Sequence, residues 1–290
     1  MNLLSPPVLK TLCIRAGKKP ERSLGQHFLT NARTLEQIVA AVAPQSADTI
    51  LEVGPGFGVL TTALAPRVRR VIAIEMDRQV ILILREIVAV LGNVEIVEGD
   101  ALRVLGSWRQ PSMLGVPWKL AANLPYQITS DFLRVLWDQI AAGAIPPPER
   151  VVLLLQKEVV DRLVGAEGSV GFLAIMVQLH ATARRVVRVP AAHFWPPPKV
   201  ESAVVAFSAL RTPKEIAQLL EPLTRDQFLR FVHMAFAGRR KQIGTSVRII
   251  AAHERTEADA ICTQAGIDPT ARPETLTLAQ WIALAKAVGP

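Results

Sequence analysis

Several short runs of this sequence carry side chains suited to holding a nucleoside and activating an amine. The first is Glu52-Val53-Gly54-Pro55-Gly56-Phe57-Gly58. Glycines so closely spaced let a backbone turn tightly and come near a ligand. The spacing is G-x-G-x-G rather than the G-x-G-x-x-G of a dinucleotide turn, and an acid stands directly before it. A nucleoside with an amino-acid tail and no phosphate suits such a turn better than a pyrophosphate does. Read alone, it could also be a plain strand-to-helix turn. Glu75, an acid about 20 residues on, is placed to accept both hydroxyls of a ribose.

Asp100, in Glu98-Gly99-Asp100-Ala101, could take the amino group of a cofactor adenine; on its own it reads as a solvated strand-end carboxylate. The most telling run is Asn123-Leu124-Pro125-Tyr126. An adenine amine is a poor nucleophile because its lone pair is delocalised into the ring. A carboxamide oxygen from Asn123 and the backbone carbonyl of Leu124 can accept its two hydrogens and shift it towards an attacking geometry. Pro125 stiffens the turn. Tyr126, the single tyrosine of the chain, offers a flat face to an extruded base, a contact worth about 1–3 kcal/mol.

Elements that could position these runs follow from the apolar pattern. From about residue 48 to 210, strand-like runs alternate with helical patterns, which implies a parallel sheet flanked by helices. The runs are Thr49 to Val53, Val71 to Glu75, Val94 to Val97, Lys119 to Ala122 and Val151 to Leu155, with a helix from Asp77 to about Leu91. Ala183 to Val189 and Ser202 to Leu210 would close the sheet with an antiparallel member. In this topology the first three strands deliver their carboxyl ends to one crevice. The triplets Pro146-Pro147-Pro148 and Pro196-Pro197-Pro198 precede strands and cannot lie within helices. After Leu210 the spacing turns helical, at Gln227 to Ala237, Glu257 to Ala265 and Thr277 to Val288, so the expected domains are 1–210 and a helical 211–290.

Composition narrows the partners. The 290 residues hold 33 Lys and Arg against 25 Asp and Glu, a net charge of +8 that favours polyanions. Basic clusters occur at Lys10, Arg15, Lys18, Lys19 and Arg22, at Arg184, Arg185 and Arg188, and at Arg239, Arg240 and Lys241. The first reads as an arm touching RNA or as a faint organellar transit segment. Cys13 and Cys262 lack metal-ligand spacing and read as unpaired thiols of a reducing compartment. No run reaches the roughly 18–20 apolar residues of a membrane span, and the cytoplasm is the expected location.

Taken together the motifs resemble the rRNA adenine dimethyltransferase family. The likeness runs through Ser23-Leu24-Gly25-Gln26-His27-Phe28-Leu29, the glycine turn, Glu75, Asp100 and the Asn123 tetrapeptide. It continues in Leu155 to Leu163, Phe194-Trp195-Pro196-Pro197-Pro198-Lys199-Val200-Glu201-Ser202, Arg239-Arg240-Lys241 and Gly266-Ile267-Asp268-Pro269. The resemblance implies a Rossmann-like class I methyltransferase fold with a small all-helical C-terminal domain. It implies S-adenosyl-L-methionine as cofactor, no metal, and His27, Leu29, Gly54, Glu75, Asp100 and Asn123 as cofactor-binding positions. Asn123, Leu124, Pro125 and Tyr126 would be the catalytic positions, with Phe194 covering the target adenine opposite Tyr126. His27 stands where relatives often have Asn, and could instead pack the amino-terminal segment; Phe194 could be a core aromatic. The implied reaction is dimethylation of two adjacent adenosines near the 3′ end of small-subunit (16S) rRNA, by a monomer acting on the immature 30S subunit. Three alternatives are a large-subunit rRNA methylase, an assembly factor with secondary methylation, and a DNA adenine methylase, a group that usually has Pro where Leu124 stands.

Overall fold

A computed structural model describes residues 1–18, 27–107, 114–115, 117–165, 170–238 and 241–289. Its strands are β1 (Phe28–Leu29), β2 (Thr49–Val53), β3 (Arg70–Glu75), β4 (Val94–Glu98), β5 (Trp118–Asn123), β6 (Arg150–Gln156), β7 (Thr182–Val189), β8 (Phe194–Trp195) and β9 (Ser202–Ser208). The helices that concern the first unit are α1 (Pro6–Arg15), α2 (Ala32–Val42), α3 (Val59–Leu64), α4 (Arg78–Val88), α5 (Ala101–Gly106) and α6 (Thr129–Ala141). They are followed by α7 (Lys157–Leu163), α8 (Phe172–His180), α9 (Pro213–Leu220), α10 (Arg225–Ala237), α11 (Ile243–Ala251), α12 (Arg255–Gln264) and α13 (Leu278–Val288).

The main sheet has seven strands in the order β4-β3-β2-β5-β6-β9-β7. β2 pairs in parallel with β3 and β5, and β4 and β6 extend the parallel set on either side. β9 runs antiparallel to both β6 and β7, so the two late strands enter as a hairpin-like edge. Every residue of β2 is buried, as a central parallel strand covered on both faces requires. Chain order reverses between β2 and β5: β3 and β4 are laid down to one side, β5 and β6 to the other. That reversal opens a crevice outside the strand ends, the place where open α/β sheets hold ligands. The glycine turn follows β2 and the Asn123 run follows β5, so both flank this crevice.

The chain forms two compact units, 1–160 with 182–210 and 161–181 with 211–290. The expected single break at 210 therefore misses residues 161–181, which belong with the helices. The reason lies in α8: Ile175 and Leu179 have no exposed surface and pack in the helical unit's core with Leu220, Phe228 and Trp281. Arg211 also closes the end of α8, its guanidinium donating to the Gln178 and Leu179 carbonyls. Helices of this unit start where the sequence supplies caps, with reciprocal Thr–Glu or Thr–Gln boxes at Thr212, Thr224 and Thr277. Among the described residues no helix is long and apolar enough to cross a membrane. Both cysteines are buried and free, and burial pushes each thiol up to about 11.

Two features of the first unit depart from the sequence reading. β1 and β8 form a separate two-stranded antiparallel sheet, too short to show any period in sequence. The basic arm is a docked helix: α1 buries Leu9, Leu12 and Cys13 against Phe57, Val80 and Ile83. Arg15 pairs with Glu86 and Lys18 with Asp77, so these cations are held by the protein itself. Lys19, Arg22 and residues 23–26 of the amino-terminal motif lie outside the described residues, as do Arg239 and Arg240.

Candidate active site

The turn after β2 is shaped by its glycines. Gly58 adopts φ +86° as the cap of α3, and a Cβ there would meet the Leu84 side chain at 2.8 Å, so this position is glycine for packing. Gly54, at φ +65°, differs: a Cβ would find nothing nearer than the Asn123 carbonyl oxygen at 4.0 Å. The strand end at Gly54 is thus an open cradle facing the end of β5, which fits the backbone approach of a bound cofactor.

Glu75 ends β3 and is held by backbone amides alone. Gly56 N donates to one carboxylate oxygen at 3.2 Å, and Met76 N and Asp77 N donate to the other at 2.9 and 3.0 Å. Burial raises its carboxyl above the ordinary value, and the amide hydrogen bonds oppose that rise. Next to it Met76 is 70% exposed, an apolar surface beside a ribose-type acceptor that the sequence reading did not single out. Asp77 caps α4, accepting from Gln79 N at 3.0 Å. Asp100 sits just beyond β4, where Gly99 N donates to the Glu75 backbone carbonyl at 2.8 Å. It caps α5 through Leu102 N at 2.9 Å, and its other carboxylate oxygen lies 4.0 Å from Arg103.

Glu52, directly before the turn, is fully buried beside Thr61 of α3. Burial pushes its carboxyl up to about 8, and the Glu75 charge adds to the rise. Its Oε2 and the Thr61 hydroxyl have no hydrogen-bond partner among the described residues.

Asn123 closes β5 with its carboxamide oriented by a contact the sequence did not reveal. Its Nδ2 donates to the His27 backbone carbonyl at 3.0 Å, which directs the amide hydrogens one way and leaves the direction of Oδ1 to another donor. Leu124 is buried and Pro125 half-buried. The Tyr126 hydroxyl hydrogen-bonds Ser202 Oγ at 2.7 Å, pinning the ring to the start of β9, and burial raises its phenol. His27 Nδ1 donates to the Pro196 carbonyl at 2.7 Å, and its ring stacks 6.0 Å from that of Tyr126. His27, expected among the cofactor positions, therefore makes its contacts with Asn123, Tyr126 and the 194–198 loop.

Leu29 and Phe194 are brought together by strand pairing, but into the core. Phe194 is 4% exposed and clusters with Leu29, Ile38 and Val204. Its expected role as a cover for the target base stays a proposal beside this packing. Alternation explains the packing: on β1 and β8, Leu29 and Phe194 point to one face while Phe28 and Trp195 point to the other. Arg184 and Arg188 are exposed on the edge strand β7 and Arg185 is half-buried; Lys241 is exposed. Among the described residues no group of three or more His, Cys, Asp or Glu is arranged to hold a metal ion.

Comparison with known proteins places the chain in a family. The family described as ribosomal RNA adenine dimethylase matches residues 17–288. A ribosomal RNA small subunit methyltransferase A from Acaryochloris marina is 38% identical over 277 residues, covering 94% of this chain and 98% of its own. The protein of the same name from Magnetococcus marinus is 38% identical over 284 residues, covering 97% and 96%. Among solved structures, the 23S rRNA methyltransferase ErmE superposes with a TM-score of 0.71 at 25% identity, over 91% of this chain and 100% of that one. A dimethyladenosine transferase from Plasmodium falciparum shares the fold, with a TM-score of 0.69 at 23% identity over 89% and 96%. With the family matched from Gly17 to Val288 and a crevice flanked by the glycine turn and the Asn123 run, this chain belongs to the ribosomal RNA adenine dimethylases.

Proposed function

We propose that this enzyme dimethylates the exocyclic amines of two adjacent adenosines near the 3′ end of small-subunit (16S) rRNA, acting in the cytoplasm on the immature 30S subunit. The observation that carries the reading is the orientation of Asn123. With its amide hydrogens taken by the His27 carbonyl at 3.0 Å, its oxygen remains to accept from an adenine amine. The Leu124 carbonyl is the second acceptor, and Tyr126, fixed through Ser202, is the stacking platform. S-adenosyl-L-methionine, when bound, supplies an electrophilic methyl on a sulfonium. Gly54 would pass its amino-acid tail, Glu75 would accept its ribose hydroxyls and Asp100 its adenine amino group. The protein's contribution is alignment and fixed dipoles, with no covalent enzyme intermediate. The small-subunit assignment draws on the names of the Acaryochloris and Magnetococcus relatives.

The test is a transfer assay with labelled S-adenosylmethionine on unmethylated small subunits, large subunits and duplex DNA, followed by nucleoside analysis. Dimethyladenosine from small subunits alone is expected. Label in large-subunit RNA would keep the chemistry and overturn the substrate. Asn123→Ala should still bind cofactor and lose about 10²–10³ in kcat, the usual cost of removing one such polar group; near-normal turnover would remove Asn123 from its role.

A further inference from the structure

We infer that Phe28 is a positioning residue that ties the cofactor turn to the target-base side of the site. The inference rests on the reading of Asn123 and Tyr126 as the base-side groups. Phe28 lies on the short strand β1, immediately after His27. Its ring abuts the glycine turn: a Cβ on Gly56 would stand 3.2 Å from Phe28 Cε1. It also stacks on Phe57 of the same turn, with centroids 5.0 Å apart and planes 17° from parallel. Phe57 is itself buried, in the cluster that includes Leu9 and Leu12 of α1. Gly56 is the residue whose amide donates to Glu75. The ring of Phe28 therefore backs the segment that aligns the ribose acceptor.

On the other side the residue just before the strand reaches the chemistry. The backbone carbonyl of His27 orients Asn123, and its ring lies against Tyr126. Phe28 pairs with Trp195 in the two-stranded sheet and stacks on it at 6.5 Å and 25°. Pro196, the next residue, fixes His27 through its carbonyl. Two consecutive residues, His27 and Phe28 at the start of β1, thus face the two halves of the site, and the stacked rings of Phe57, Phe28 and Trp195 make the strand move with the turn. A shift of the glycine turn on cofactor binding is carried to Asn123 and Tyr126 by a packed path, and the reverse holds for base binding, because coupling between two ligands is reciprocal.

Equilibrium dialysis of labelled S-adenosylhomocysteine, alone and with saturating unmethylated small subunits, reads this coupling without turnover. In the wild type, subunits should tighten the cofactor product by at least about fivefold, the low end of usual coupling. Phe28→Leu keeps apolar volume but loses the flat face, and should reduce that factor below twofold. In kinetics it should raise the cofactor KM and lower kcat together, and Phe28→Trp should restore both. Should Phe28→Leu fail to fold by circular dichroism, Trp195→Leu interrupts the same stack from β8 and is expected to give the same loss. An unchanged coupling factor in a folded variant, or no coupling in the wild type, overturns the inference. Methyl transfer by the wild type to the same subunits, measured in parallel, reports the proposed function independently.

Discussion

At the amino end of the central sheet, Asp48 and Lys119 are almost wholly buried and form an ion pair at 2.7 Å. Lys119 also donates to the Ala43 carbonyl, Gln45 N donates to the same Asp48 oxygen, and Arg69 donates to Thr49. At the carboxyl end, Glu52 and Glu75 lie on adjacent strands, and among the described residues neither makes an ion pair. Burial raises both carboxyls, and the Glu75 charge adds to the rise at Glu52. The same strands therefore carry an ion pair at one end and two carboxyls with no cation beside them at the other. Burying an unanswered carboxylate lowers stability, and such imbalance concentrates where a ligand completes it. The comparison separates residues that hold the sheet from residues that wait for a partner.

The largest effect expected is at the amino end. Lys119→Ala leaves Asp48 buried without its cation and should cost about 3–5 kcal/mol in chemical denaturation, the usual penalty for breaking a buried pair from one side. Replacing the pair together, as Asp48→Asn with Lys119→Met, should recover much of that loss, and neither change should alter cofactor affinity per folded molecule. A cost below about 1 kcal/mol for Lys119→Ala would show that water reaches Asp48 and would erase the contrast. At the carboxyl end the signs reverse. Glu75→Gln puts an amide donor among three backbone N–H groups and removes the charge that accepts a ribose. It should weaken S-adenosylhomocysteine by about 10–100-fold, the worth of one charged hydrogen bond of about 1.5–3 kcal/mol. Its stability should fall by no more than about 1–3 kcal/mol, for a backbone N–H left facing the amide, so a larger loss of stability with intact binding would break the division of labour.

How much of this was legible beforehand depends on the range of the contacts. β2 to β6 could be read because each is a run of apolar residues bounded by turn signals, and the glycine turn and Asn123 run announced themselves by composition at strand ends. The topological switch then brought them to one crevice without further instruction. Residues 161–181 were misassigned because α8 is apolar on most faces, and an apolar run does not say which core it enters. The ion pairs of the basic arm were out of reach for a related reason: the charges of Arg15 and Lys18 are visible in sequence, but Glu86 and Asp77, which pair with them, are distant. Phe194 illustrates the limit most sharply. Whether Phe194 or Trp195 faces the site is decided by the pairing of β1 with β8, a two-residue ladder between segments far apart in the chain. The hydrogen bond from Asn123 to the His27 carbonyl is likewise a backbone matter, which no side-chain pattern encodes.

Glu52 gives the finest test of the contrast, because its ionisation alone can be removed. In the folded protein burial holds its carboxyl at about 8, against the ordinary 4.5 of an unfolded chain. Between those values the folded state keeps a proton that the unfolded state has lost. The folded state thus binds more protons, so stability must fall as pH rises through that interval. The contribution is fully present below pH 4.5 and is gone above about 8, where the carboxylate must ionise inside the sheet. For a single proton the slope is at most about 1.4 kcal/mol per pH unit. Glu52→Gln keeps the shape beside Thr61 and cannot ionise. Between pH 6 and pH 7 the stability of the wild type should therefore drop by about 1 kcal/mol more than that of the variant, in paired urea titrations. Parallel pH dependence in the two proteins would mean that Glu52 is charged when folded and that a cation answers it, which would make the carboxyl end of the sheet resemble the amino end.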